Sequence, residues 1–249
     1  MLRAALLWLA LALPAQAEEI VLGLSRDEVA ITATFEGSDI LIFGAIKRDR
    51  PLPTDSELGV IVTISGPALP VTVRRKDRRF GVWVNTESVE VDSAPSFYAV
   101  SSSAHLGEIL SDTEDLRHRI SIPRAIRSVG SEVADSAAFT EALIRIRSDQ
   151  TLYQRRFGGV DLEEDTLFRT AITLPANLTE GDYDARIYLT RDRQVIDQYV
   201  TTIPVKKVGL ERWLYNLAHE QALIYGLMSL AIAIGAGWLA SAAFGLLRR

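Results

Sequence analysis

The chain has 249 residues, no cysteine, three histidines and a formal net charge of −5. The absence of cysteine excludes thiol catalysis, thiolate metal sites and disulfide staples, and the interspersed, slightly acidic charge argues against a nucleic-acid groove. His105, His118 and His219 lie far apart and show no metal-ligand spacing.

Residues 1–17 have the n-, h- and c-region order of a secretory signal peptide. Arg3 precedes an apolar run over residues 4–13, and Pro14 and Ala15-Gln16-Ala17 follow, so cleavage is expected after Ala17. The run is shorter than the roughly 20 residues that span a bilayer core.

Residues 18–100 read as an N-terminal β-sandwich. Val29, Ile31, Ala33 and Phe35 alternate with Ala30, Thr32 and Thr34, the period of a half-buried strand. Glu36-Gly37-Ser38-Asp39 predicts a turn, and residues 40–46 return as a more apolar strand. Arg50-Pro51-Leu52-Pro53 predicts a loop, and residues 59–65 form the next strand, closed by Gly66-Pro67. Val71 and Val73 then share a face, Arg74-Arg75-Lys76-Asp77-Arg78-Arg79 makes a charged hairpin tip, and Phe80, Val82 and Val84 resume the alternation. Residues 88–91 end the set. Short strands at this spacing predict an immunoglobulin-like β-sandwich.

Residues 101–158 read as a helical middle segment. Residues 95–103 are apolar and then serine-rich, and residues 112–126 are charged and mixed, a short helix and loop. Phe139, Ala142, Leu143 and Ile146 fall at i, i+3, i+4 and i+7 on one helix face, with Gly158-Gly159 as the far boundary. Residues 159–206 form a C-terminal β unit: a strand over 168–174, a turn-rich loop over 175–181, and a hairpin of 183–190 with 195–203 bent at 191–194. Two arrangements satisfy this pattern. The last strands complete the first sandwich around a helical insertion, or they form a second small β unit, which is favoured.

Residues 209–247 are the juxtamembrane and transmembrane helix. No charged side chain occurs from Gln221 to Leu247. At about 1.5 Å per residue that stretch exceeds a hydrocarbon core of roughly 30 Å, where a helix satisfies its own backbone. Trp213, Tyr215, His219 and Tyr225 mark the membrane interface, and Leu210, Trp213, Leu214 and Leu217 carry the helix into the headgroup zone. Arg248-Arg249 forms a cytoplasmic tail. With the signal peptide this predicts a single-pass inner (plasma) membrane protein, its main domain periplasmic and its C-terminus cytoplasmic.

Several stretches carry a resemblance: Ala30-Ile31-Thr32 with Ile40-Leu41-Ile42-Phe43-Gly44-Ala45; Gly81-Val82-Trp83-Val84-Asn85 with Ala94-Pro95-Ser96-Phe97-Tyr98-Ala99-Val100; Leu167-Phe168-Arg169 with Leu174-Pro175-Ala176-Asn177 and Gly181-Asp182-Tyr183; and Leu217-Ala218-His219 with Tyr225-Gly226 and Gly237-Trp238. Through them the chain resembles an alphaproteobacterial family of transmembrane proteins. The resemblance covers nearly the whole mature chain. It implies a periplasmic domain, one C-terminal span and a partner among permeases similar to sulfite or sulfonate exporters. It carries no activity that transfers residue by residue.

In the membrane helix Ser229, Ala233, Gly237, Ser241 and Gly245 recur every fourth residue. This small-residue face would let another helix backbone approach, in self-association or against a multi-span permease. Arg74, Arg75, Lys76, Arg78 and Arg79 form a patch for an anion, a lipid headgroup or an acidic partner, or a solvated turn that blunts a sheet edge. His219 beside Glu220 is a plain interfacial group or a pH sensor. Asp161, Glu163, Glu164 and Asp165 match no calcium-loop spacing and read as a solvated loop. Asn177-Leu178-Thr179 reads as a turn. No phosphate loop, dinucleotide glycine pattern, nucleophile elbow or paired helical histidines occur, and His105 lies too close in sequence to Ser101-Ser102-Ser103 for a folded triad. The expectation is a non-enzymatic interaction protein without cofactor or metal, an accessory of a permease in the lipid bilayer. The alternatives are a periplasmic solute- or anion-binding transporter subunit and an enzyme with an unrecognised site.

Overall fold

A computed structural model describes residues 19–26, 28–31, 37–48, 57–128, 136–207 and 210–247. The signal segment, Ala33 and Phe35 of the first alternating strand, the Arg50–Pro53 loop and the Arg248-Arg249 tail lie outside the described residues.

The first sheet is antiparallel, in the order β1 (Glu19–Leu24), β3 (Ser38–Lys47), β10 (Leu167–Leu174), β9 (Asp161–Glu163). Strands β3 and β10 fall where the sequence predicts, and their burial alternates. Ile40, Ile42 and Ile46 of β3 and Phe168, Thr170, Ile172 and Leu174 of β10 point inward, and their neighbours face solvent. Gly44 sits where no side chain fits, because a Cβ there would lie 2.5 Å from both the Val21 carbonyl oxygen and the Phe168 ring.

The second sheet runs β2 (Val29–Ile31), β12 (Gln194–Lys207), β11 (Gly181–Arg191), β4 (Leu58–Ser65), β7 (Tyr98–Ser102), β8 (Tyr153–Phe157). Strands β4 and β7 are buried almost throughout, because both faces of this sheet are covered. One face meets the first sheet, where the Ser101 and Thr170 hydroxyls are 3.0 Å apart and Thr170 donates to the Gly159 carbonyl at 2.7 Å. The other face is covered by short helices α1 (Leu106–Ile109), α2 (Asp112–His118) and α3 (Ile122–Ala125). There the Tyr98 hydroxyl donates to the Ile120 carbonyl at 2.8 Å and His118 stands edge-on to Tyr188 at 5.6 Å. The hydroxyl of Tyr183, at the start of β11, donates to the Thr179 carbonyl at 2.8 Å, a tyrosine corner where the chain crosses between sheets.

These neighbours match the immunoglobulin order, with β1-β3-β10-β9 as strands A, B, E and D and β4, β11 and β12 as C, F and G. The fold is mainly β, as expected, but its strands form one core rather than two. Strand β10 pairs with β3 from Leu167↔Ala45 to Leu174↔Ser38, and β11 pairs with β4 from Asp184↔Ser65 to Arg191↔Leu58. The favoured separate C-terminal β unit is thereby replaced by the other arrangement, because each half has one-faced strands that must bury against the other. The middle segment enters between strands C and D. It includes α4 (Ser136–Asp149), which buries Phe139 and Leu143. That helix ends well before Gly158; Thr151 turns the chain at φ 59° into β8, which runs parallel to β7.

The C-terminal helices fall in a second compact unit, distinct from the one that holds most of the sandwich. Helix α5 (Leu210–Glu220) stops at Gln221, whose carbonyl accepts from the amides of Ile224 and Tyr225 at the start of α6 (Ala222–Leu247). The juxtamembrane segment is therefore a separate helix. Within α6, Ala222–Ser241 has a mean hydropathy of 1.9 with none of it buried, long and apolar enough to cross a membrane.

Candidate interaction surface

Between strands C and D the chain makes a two-stranded ribbon of β5 (Ala68–Arg79) and β6 (Val82–Pro95). Its base belongs to the core: Val73, Val89 and Val91 are buried, and Ser93 pairs with Arg127. Arg75 marks the limit of this support, bonding Glu87 at 2.9 Å and lying 4.8 Å over the Phe139 ring of α4. Beyond it the register shifts and every residue from Lys76 to Thr86 is exposed.

The ribbon turns at Phe80-Gly81, with φ of 51° and 86°. A two-residue I′ connection requires positive φ at both positions, which suits Asn-Gly or Gly-Gly far better than a bulky ring. The basic run expected at the hairpin tip is therefore the distal half of strand β5, and the tip is aromatic. Phe80 is 107%, Trp83 67% and Val82 64% exposed. Pairings Arg79↔Val82, Arg78↔Trp83 and Asp77↔Val84 place a charged strand beside an apolar one. Opposed residues share a face and successive residues alternate, so Val82 and Val84 project to one side and Trp83 to the other.

From Arg74 to Glu87 five cations face Asp77 and Glu87, a local charge of +3 on a chain of net charge −5. Arg75 is engaged with Glu87 and Phe139. Arg79 reaches Asp77 only at 4.0 Å between exposed groups, a contact of little energetic weight. Arg74 and Lys76 are exposed and make no ion pair among the described residues. The sequence pointed to these five cations but not to Phe80 and Trp83. The available signal was Val82-Trp83-Val84, three successive apolar residues that no half-buried strand calls for.

The other candidates are not brought together with the ribbon. In α6, Ser229 donates to the Tyr225 carbonyl at 2.7 Å, and a Cβ on Gly237 would meet nothing within 4 Å. Ala233 and Ser241 continue that row, and Gly245 follows in the last turn. In α5, Tyr215 stacks on His219 at 4.0 Å, while Trp213 and, in α6, Tyr225 are exposed.

His105 accepts from the Gly107 amide at 3.3 Å and packs on Phe157, so it caps α1 instead of serving Ser101, Ser102 or Ser103. Arg169 bridges Asp161 at 3.2 Å and Glu163 at 3.6 Å, and among the described residues no group of His, Asp and Glu is arranged to hold a metal ion. An open groove of about 550 Å³ runs past Ser148, Tyr153, Gln154, Thr173 and Asn177. Two of its polar groups are engaged: the Gln154 amide donates to the Thr151 and Thr173 carbonyls at 2.9 and 2.8 Å, and the Tyr153 hydroxyl donates to the Pro95 carbonyl at 2.8 Å. Burial pushes the Tyr153 phenol up to about 12.

No curated protein matches the chain. The family described as Putative transmembrane protein (Alph_Pro_TM) matches residues 19–245, nearly all of the β-sandwich, ribbon and terminal helices just described, and the chain belongs to that family.

Proposed function

We propose that this is a non-enzymatic binding protein of the inner membrane. It is exported by its signal peptide and anchored by α6, with the β-sandwich in the periplasm and the distal ribbon as its contact element. The observation that supports this reading is the exposure of Phe80 and Trp83 beside Arg74, Lys76, Arg78 and Arg79, on an arm whose every residue from Lys76 to Thr86 is exposed. Monomeric proteins rarely leave apolar side chains gathered in this way unless they meet something. A permease is the partner that the family resemblance implies, and the small-residue row of α6 would offer a surface for it.

The test places a photo-reactive amino acid at position 83 in the intact protein in cells. An adduct that forms there, and is lost when Arg74 and Lys76 become Glu, supports the ribbon as contact element. Absence of any adduct, to protein or lipid, overturns it. A reporter enzyme fused after Lys206 and active only in the cytoplasm would overturn the export.

A further inference from the structure

We infer that the distal β5–β6 ribbon inserts its apex into the headgroup layer of an anionic phospholipid surface. This rests on the ribbon being the contact element, and it names what the ribbon contacts.

The distribution of apolar groups selects the class of target. Val82 and Val84 lie on one face of the ribbon, Trp83 lies on the other, and Phe80 caps the end. A protein partner docking on one face would leave the opposite apolar groups in water. A bilayer interface surrounds an inserted tip on all sides.

The layering along the arm agrees. At about 3.3 Å per residue, the levels of Phe80, Val82, Trp83 and Val84 occupy roughly the last 10 Å, the depth at which interfacial segments seat their apolar face. Lys76 follows one level behind, at the height of the phosphates, and Arg74, about 20 Å from the apex, extends its long side chain toward them. Arg78 and Arg79 have stems long enough to reach back to the same height. Trp at the apex suits the boundary between headgroups and chains.

The same backbone limits the depth. A two-stranded ribbon leaves the outward N–H and C=O groups of both edges unpaired. Such edges are not tolerated in hydrocarbon, but water and phosphate satisfy them in the headgroup layer. The contact is therefore shallow and electrostatically assisted. A bilayer is also the one target always in reach of a chain that carries its own span.

The chain has no cysteine, so Val82→Cys provides a unique thiol for an environment-sensitive fluorophore. The full-length labelled protein is reconstituted into phosphatidylcholine bilayers with or without phosphatidylglycerol, with excess free vesicles of the same composition and brominated acyl chains as quencher. The expected result is a blue shift and quenching only with phosphatidylglycerol, weakened by salt. Arg74→Gln and Lys76→Gln should each lower the equilibrium constant for insertion about fivefold. A label at Asp165→Cys should remain water-like in both compositions. Identical, water-like emission at position 82 in both bilayers overturns the inference, as does equal quenching in both. If position 82 stays in water while the position-83 cross-linker captures a protein in cells, the lipid assignment fails and the contact element stands. If both are silent, both fail.

Discussion

Replacing Phe80 with Asn should make the ribbon more stable while removing its contact. Phe80 holds φ at 51°, in the left-handed region, where a side chain other than Gly, Asn or Asp costs roughly 1–2 kcal/mol. The ring is fully exposed, so its removal forfeits no packing in the isolated protein. Phe80→Asn creates Asn-Gly, the pair best suited to a two-residue connection. The net gain should be about 1 kcal/mol, a factor of about five in the opening equilibrium of the distal ribbon. Hydrogen exchange resolves this locally, which a melting curve dominated by the sandwich would not. Amides of β5 and β6 beyond the Arg75/Lys76 register shift should exchange about fivefold more slowly, while β10 and β11 are unchanged. In the same variant a label at position 82 should lose its response to phosphatidylglycerol. Exchange that is unchanged or faster would refute the reasoning, since the positive φ of Phe80 would then carry no strain for Asn to relieve.

Thr170→Val leaves the Gly159 carbonyl and the Ser101 hydroxyl without their contacts between the sheets, and should cost about 1–3 kcal/mol in denaturant unfolding of the intact protein. Gly44→Ala drives a methyl group against the Val21 carbonyl oxygen and the Phe168 ring, and should cost about 1–3 kcal/mol, read as a lowered Tm. Burial raises the phenol pKa of Tyr153 to about 12 and that of Tyr98 well above its usual 10. Below pH 10 folded and unfolded states both keep these protons and stability has no slope from them; above it the unfolded state loses them first. The domain should therefore lose roughly 1.4 kcal/mol per pH unit per tyrosine from pH 10 toward 12, measured by unfolding at stepped pH. Gly237→Ile fills the small-residue row of α6 and should weaken helix association in a membrane two-hybrid assay; unchanged association would count against that row as an interface.

Strands set between turn signals were legible in the sequence as short runs rich in apolar residues. That held for residues 40–46, for 168–174 and for the β11–β12 hairpin, whose bend falls at Asp192-Arg193. Strand β7 escaped because Tyr98–Ser102 is buried on both sides and so has no period. Strand β8 escaped for a different reason: Gln154-Arg155-Arg156 are polar, and parallel pairing to β7 rather than burial holds them in place. Periodicity names a face but never a neighbour. The pairing of β3 with β10, across the whole inserted segment, cannot be read from either strand alone, which is why the sequence leaves one core and two both open and favours two. The site was half legible for the same kind of reason. Charge is visible as composition, so the five cations stood out, whereas Phe80 occupies a position where turn chemistry argues for Asn or Gly.

The position of the ribbon explains why its distal half departs from folding rules. The sandwich closes through strand pairs that bypass the insertion, β3 with β10 and β4 with β11. The ribbon is fastened at its base by Val73, Val89, Val91 and the Arg75–Phe139 contact. Nothing past that base is needed to bury the core, so solubility and turn geometry alone would favour polar residues and Asn-Gly at the end. Residues 80–84 instead combine a strained aromatic turn with an exposed apolar run. Among the described residues nothing offsets the cost of that turn, and the cations along β5 match the charge of the anionic surface we propose as the target.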